Sequence, residues 1–219
     1  MTLSLGKRAC AEALASAFLL AAIVGSGIMG ERLAGGNAAL ALLANSAATG
    51  AALVALILAF APISGAQLNP AVTLVAAWER ALPWREVPAY VSGQLAGALA
   101  GVGAANAMFA LPVFSISSHA RSGAGQLLSE SLATFGLIFV VQSCARLRDA
   151  TAVALAVGGY IAAAYWFTSS TSFANPAVTI ARTLSDTFAG IRPADAPGFI
   201  AAQAVGAFAA ASAARWLAK

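Results

Sequence analysis

Asn69-Pro70-Ala71-Val72-Thr73 and Asn175-Pro176-Ala177-Val178-Thr179 are one pentapeptide written twice. Each copy lies at a break between apolar stretches. Asn is a strong helix N-cap, because its side-chain oxygen accepts a free backbone N–H of the first turn. Pro suits the first helical position, where its missing N–H removes nothing the helix needs and its φ is already set. Both copies therefore predict a helix start. They pose the question of why an apolar chain begins two short helices in matching places.

Of the 219 residues, 60% are hydrophobic and 9% are charged, and mean hydropathy is +0.83. Soluble domains carry about 25% charged residues, so the chain reads as a membrane protein. A net charge of +4 and a pI near 9.6 raise nucleic acid as a partner. No basic patch with interleaved aromatics supports it, and nucleic acid is set aside. Cys10 and Cys144 lack a CxxC spacing and read as small packing residues. No cleavable leader is expected, since the apolar run after Lys7 and Arg8 is long enough to span and shows no clear processing site.

A spanning helix needs about 20 mostly apolar residues. Six stretches qualify, at roughly 9–30, 38–62, 87–111, 125–145, 150–168 and 197–217. All are rich in Gly, Ala and Ser, which let membrane helices approach closely. With the N-terminus inside, the cytoplasmic segments hold Lys7, Arg8, Arg80, Arg85, Arg146, Arg148, Arg215 and Lys219. The outer ones hold Arg32, Arg121, Arg182 and Arg192. This bias follows the positive-inside rule and puts both termini in the cytoplasm. Segments 70–79 and 176–186 are too short to span and too apolar for ordinary loops, so they predict re-entrant helices. Stretches 63–68 and 169–174 would be non-helical backbone at membrane depth, tolerated where it is buried or lines a water-filled cavity.

The chain reads as an internal repeat, about 1–115 and 120–219. Ala11-Glu12-Ala13-Leu14-Ala15 parallels Ser129-Glu130-Ser131-Leu132-Ala133, and Pro88, Gln94 and Gly97 parallel Pro197, Gln203 and Gly206. Three spans per half invert the second half, which brings the broken helices together at the midplane. Facing helix starts present positive partial charge and free N–H groups, and Asn69 and Asn175 can add amide donors. A neutral hydrogen-bonding solute would be oriented there and a cation repelled. Glu12 and Glu130 are acids inside spans, which is expensive. Each is expected to hold a re-entrant loop by accepting its N–H groups.

These features together resemble the major intrinsic protein family of aquaporins and aquaglyceroporins over essentially the whole chain. The resemblance implies one all-α channel domain over residues 1–219, with six spans and two half-helices, and one pore per protomer of a homotetramer in the membrane lipid. Water and small neutral solutes would pass down their gradients. It also implies a second, outer filter of four residues, placed by distance from the Asn residues at Thr49, Ala163, Ser172 and Val178. The family usually has an aromatic at the first position and Arg at the last, and here both are gone.

Thr49 and Val178 predict a wider, less basic and more apolar outer vestibule. The Asp often found after the filter Arg in glycerol facilitators is replaced by Thr179. Gln67 replaces a frequent His, which removes pH gating through that residue. His119, the single histidine, reads as a solvated loop residue. Val for Arg resembles a bacterial, arsenic-resistance-associated subset, which implies passage of arsenous acid and methylated arsenicals, with glycerol-type solutes and water, across the inner membrane. Arg182 lies four residues past Val178, about 6 Å further out on the same face. It reads either as a cation-repelling charge at the mouth or as a side chain snorkelling to the interface. Val72 reads as an ordinary packing residue.

The alternatives are a channel dedicated to water or glycerol, an ion-coupled secondary transporter and an adhesive membrane protein. The transporter lacks carboxylates free to couple an ion, and the short loops leave little adhesive surface. No nucleophile–base pair, metal-ligating cluster or phosphate loop is present, so no enzyme activity, cofactor or metal is expected.

Overall fold

A computed structural model describes residues 3–146 and 149–217; Arg148 and Lys219, two of the cytoplasmic charges counted above, lie outside the described residues. The described chain is helical, in the order α1 (Leu5–Leu33), α2 (Ala38–Ser64), α3 (Pro70–Trp78), α4 (Val87–Met108), α5 (Ala124–Ala145), α6 (Ala150–Phe167), α7 (Pro176–Arg182) and α8 (Ala196–Leu217). A single 3-10 turn at Trp84–Glu86 leads into α4.

Helices α1, α2, α5, α6 and α8 are long and apolar enough to cross a membrane. The expected third span, α4, has 22 residues but carries Gly93, Gln94, Gly97, Gly101 and Asn106. Its small and polar positions are turned inward, where the other helices cover them. Gly97 sits on the backbone of Ala13, which a methyl group at that position would overlap. Gly206 of α8 sits on Ser131 of α5 in the same way. Small residues thus bring the first and third long helices of each half into backbone contact.

The start of α1, paired with Glu86 through Arg8, and the end of α8, near Glu79 through Arg215, fall on one face, called here the terminal face. Helix α3 enters from that face and α7 from the far face, as an inverted repeat requires. The second re-entrant segment is shorter than expected: the helix stops at Arg182 rather than running to 186. Thr183 and Leu184 instead turn outward and pair with the loop between α4 and α5, accepting from Ser117 N–H (2.9 Å) and Ser115 N–H (3.0 Å). The first loop is also shorter than 63–68, because α2 continues through Pro62 to Ser64.

Candidate functional site

The two Asn residues cap as expected. Asn69 Oδ1 accepts from Ala71 N–H (2.9 Å), and Asn175 Oδ1 accepts from Ala177 N–H (2.9 Å) and Val178 N–H (3.3 Å). Their amides do something less obvious. Asn69 Nδ2 donates to Ala174 O and Asn175 Nδ2 to Leu68 O, both at 2.8 Å. Each cap therefore clips the other half's loop, leaving one of its two amide hydrogens uncommitted.

The glutamates lock those loops from behind. Glu12 accepts from Ser64 Oγ (2.6 Å), Gln67 N–H (3.0 Å), Leu68 N–H (2.7 Å) and Gln94 Nε2 (2.7 Å). Glu130 accepts from Ser170 Oγ (2.6 Å), Phe173 N–H (2.8 Å), Ala174 N–H (2.9 Å) and Gln203 Nε2 (2.6 Å). Each glutamine also donates to the Thr of the adjoining pentapeptide, Gln94 to Thr73 and Gln203 to Thr179, both at 2.9 Å. Both carboxylates are fully buried, and their acceptor capacity is used.

These locks hold a strained backbone. Ala66 (φ 46°) and Leu68 (φ 51°) are left-handed, and so are their counterparts Ser172 (φ 51°) and Ala174 (φ 49°). Gly65 takes φ 90° at no cost, whereas the matching Thr171 at φ 61° is β-branched. Left-handed backbone costs a non-glycine residue roughly 1–2 kcal/mol. Charge-assisted hydrogen bonds to a buried carboxylate are strong enough to hold it.

Around the Asn pair runs a cavity of about 230 Å³. Its polar lining includes Thr49, Gln67, Asn69, Tyr165, Ser172, Asn175 and Arg182; its apolar walls include Leu53, Ile57, Val157, Ile161 and Val178. Val72, Ala76 and Val141 are shared with a second cavity of about 330 Å³ towards the terminal face. Val72 thus packs against the Val75–Ile138–Ala207 cluster, as expected, and lines the cavity as well. The water-sized space extends to both sides of the Asn pair, and no acidic side chain lines the central cavity among the described residues.

A profile of the family described as Major intrinsic protein matches residues 1–148 and 117–219. The chain belongs to that family. It is 51% identical over 213 residues to the aquaglyceroporin AqpS of Rhizobium meliloti (strain 1021), covering 97% of this chain and 91% of that protein. Aquaporin NIP2-3 of Zea mays is 34% identical over 197 residues, covering 85% of this chain and 63% of that longer protein. The X-ray structure of the aquaglyceroporin from Plasmodium falciparum superposes with a TM-score of 0.78 at 18% identity and covers 95% of both chains, a likeness of fold. The chain is accordingly a multi-pass membrane protein of the aquaglyceroporin channel family, and not an enzyme.

Within this family member, three of the four expected filter positions line the cavity: Thr49, Ser172 and Val178. Ala163 does not. It is exposed on the outside of α6, while Ile161 and Tyr165, one turn apart, face inward. Helix α6 runs on to Phe167 before the loop begins, so counting back twelve residues from Asn175 lands on the wrong side of the helix. Tyr165 is buried, with its hydroxyl 3.2 Å from Thr49 Oγ1.

Arg182 does not snorkel. It is 1% exposed and lines the cavity. Its guanidinium carbon lies 3.4 Å from the centre of the Phe173 ring, and its Nε donates to Ala189 O. Arg121 reaches the same ring at 5.1 Å from the far-face loop. It donates to Gly190 O (2.8 Å), Ser170 O (3.2 Å), Thr171 Oγ1 (3.4 Å) and Phe188 O (3.3 Å). Two of the four outer arginines are therefore internal. Sequence reasoning missed Tyr165, Phe173 and Arg121; the only available signals were aromatics beside the assigned positions and a lone Arg in a Ser/Gly-rich loop.

Proposed function

We propose that residues 1–219 form a single channel domain of two inverted repeats, about 1–115 and 120–219, with its wide filter at the far end of the cavity. Thr49, Tyr165, Ser172 and Val178 form that filter, the motifs at Asn69-Pro70-Ala71 and Asn175-Pro176-Ala177 form the central constriction, and Glu12 and Glu130 support the loops. The observation that carries this reading is a cavity running past two facing Asn caps, lined by Val178 where the family's filter arginine is expected. A small side chain there leaves room for solutes larger than water. Glycerol-type polyols and neutral metalloid acids, including arsenous acid and methylated arsenicals, fit a path that alternates hydroxyl and amide groups with apolar wall. The 51% identity to an aquaglyceroporin supports a polyol-permeable channel.

In this reading the terminal face is cytoplasmic, the membrane is a bacterial inner membrane, and four chains assemble with one pore each. The Arg8–Glu86 pair (2.8 Å) then anchors α1 to the start of α4 at the cytoplasmic surface. Arg182 gives the outer mouth a fixed positive charge that opposes cations.

Stopped-flow light scattering of proteoliposomes with water, glycerol, urea and arsenous acid tests this reading. Expected is flux of glycerol and arsenous acid well above empty liposomes, linear in concentration and indifferent to proton or sodium gradients. Saturating flux that follows an ion gradient would point to a transporter instead. Water flux alone would point to a dedicated water channel.

A further inference from the structure

The charge at the far end of the cavity is unbalanced. Two guanidiniums, Arg182 and Arg121, flank one Phe173 ring at 3.4 and 5.1 Å, and both are buried, 1% and 8% exposed. Neither pairs with a carboxylate among the described residues. The nearest buried acid, Glu130, is already committed to its loop. Uncompensated charge at such depth is expensive, and an ionisable group inside a membrane protein is by default functional.

The donors are unequal. Arg121 spends its donors on neutral oxygens that tie the far-face loop to the loop entering α7 and to the chain beyond it. Arg182 commits only Nε, and its Nη1 is buried without a partner. The hydroxyl of Ser172, which also lines the cavity, is likewise buried and unpartnered. A planar guanidinium edge and a free hydroxyl lining one cavity, with a second cation on the same aromatic ring, make a donor set matched to an oxyanion.

We propose that the far vestibule is a binding site for a small oxyanion, held by Arg182 and Ser172 with Arg121 supplying the second charge, and that an occupied site obstructs neutral-solute flux. This rests on the channel reading. Further in, the apolar walls include Leu53, Ile57, Val157 and Ile161, and these give an anion nothing in exchange for its water. A bare charge is disfavoured against such walls. The anion therefore stays at the mouth and blocks rather than permeates.

Inorganic phosphate outside glycerol-loaded proteoliposomes tests the site, with chloride at equal ionic strength as the control and each variant normalised to its own phosphate-free flux. Expected is block by external phosphate and not by chloride. Arg182→Gln shifts the half-blocking concentration upward by about tenfold or more, and Ser172→Ala by about threefold. Equal block by chloride, no block, or an unshifted midpoint in Arg182→Gln overturns the proposal. If Arg182→Gln does not fold, Ser172→Ala decides it, and an unshifted midpoint overturns it. Absence of glycerol flux without phosphate counts against the channel reading alone. The site is then tested by phosphate-dependent thermal stabilisation of detergent-solubilised protein, where no stabilisation beyond that of chloride overturns it.

Discussion

The loop entering α3 and the loop entering α7 share backbone and bonding. Each has left-handed residues at matching places, a serine and two N–H groups on a buried glutamate, a glutamine bridging that glutamate to the pentapeptide threonine, and an Asn clipped to the opposite loop. The half-helices they lead into end differently. Helix α3 runs nine residues and terminates at the terminal-face surface, where Glu79 lies 3.7 Å from Arg215. Helix α7 runs seven and terminates in a buried arginine stacked on Phe173. What is repeated builds the frame and the paired Asn caps at its centre; what is not repeated sets the far end of the cavity apart. The same valine, as Val72 and as Val178, lines wall on both sides, but Val72 shares the terminal-face cavity with both Arg146 and Glu79, whereas Val178 shares its end with Arg182 and, among the described residues, no acid.

The sharpest way to break the equivalence of the loops is to remove one lock at a time. Glu12→Ala and Glu130→Ala each take the carboxylate acceptor from four buried N–H or O–H hydrogens, and each is expected to cost about 3–5 kcal/mol, read as loss of thermal stability in detergent. A large loss in one variant and little in the other would show that the loops are alike in geometry and unlike in energy.

The filter geometry can be sharpened on α6. Tyr165→Ala removes a buried ring and the partner of Thr49, at about 3–5 kcal/mol of stability, and it should raise the flux of larger polyols relative to glycerol in vesicles that retain folded protein. Ala163→Leu, on the exposed side of the same helix, should stay within about 0.5 kcal/mol and leave that ratio unchanged. A changed ratio in the second variant would restore Ala163 to the pore.

The smallest effect concerns pH at the far mouth. Desolvation by neighbouring groups and the positive fields of Arg121 and Arg182 hold the exposed His119 imidazole below its ordinary value. The folded state thus binds its proton less readily than the unfolded chain. Stability tied to His119 is complete above about pH 6.5, begins to fall below that value, and is lost once pH passes below the lowered one. An NMR titration should place the imidazole midpoint below 6.5, and a midpoint at or above it would mean that the arginine charge does not reach the loop.

Much of this frame was legible because its residues carry their roles in their chemistry. An Asn-Pro pair can do little but cap a helix, and an intramembrane glutamate must find donors. Glutamines at matching places in two halves announce a shared partner. The shortfall came where side chains are mute or position depends on loop path. Ala162, Ala163 and Ala164 are indistinguishable by type, and only the end of α6 at Phe167 decides which neighbour faces inward. Arg121 and Arg182 count as outer charges by position, yet both are drawn inside by an aromatic ring that sequence separation does not pair with them. Val72 packs as its apolar helix suggests, and only the path of the cavity shows that it also lines wall.

The central claim is that a small residue at position 178 makes the far filter permissive. Glycerol and water permeabilities of wild-type and Val178→Arg proteoliposomes, measured side by side, test it most directly. Val178→Arg is expected to lower glycerol permeability by about tenfold or more, equivalent to ~1.4 kcal/mol of added barrier, while water permeability falls much less. Unchanged glycerol permeability in a folded Val178→Arg protein would contradict it.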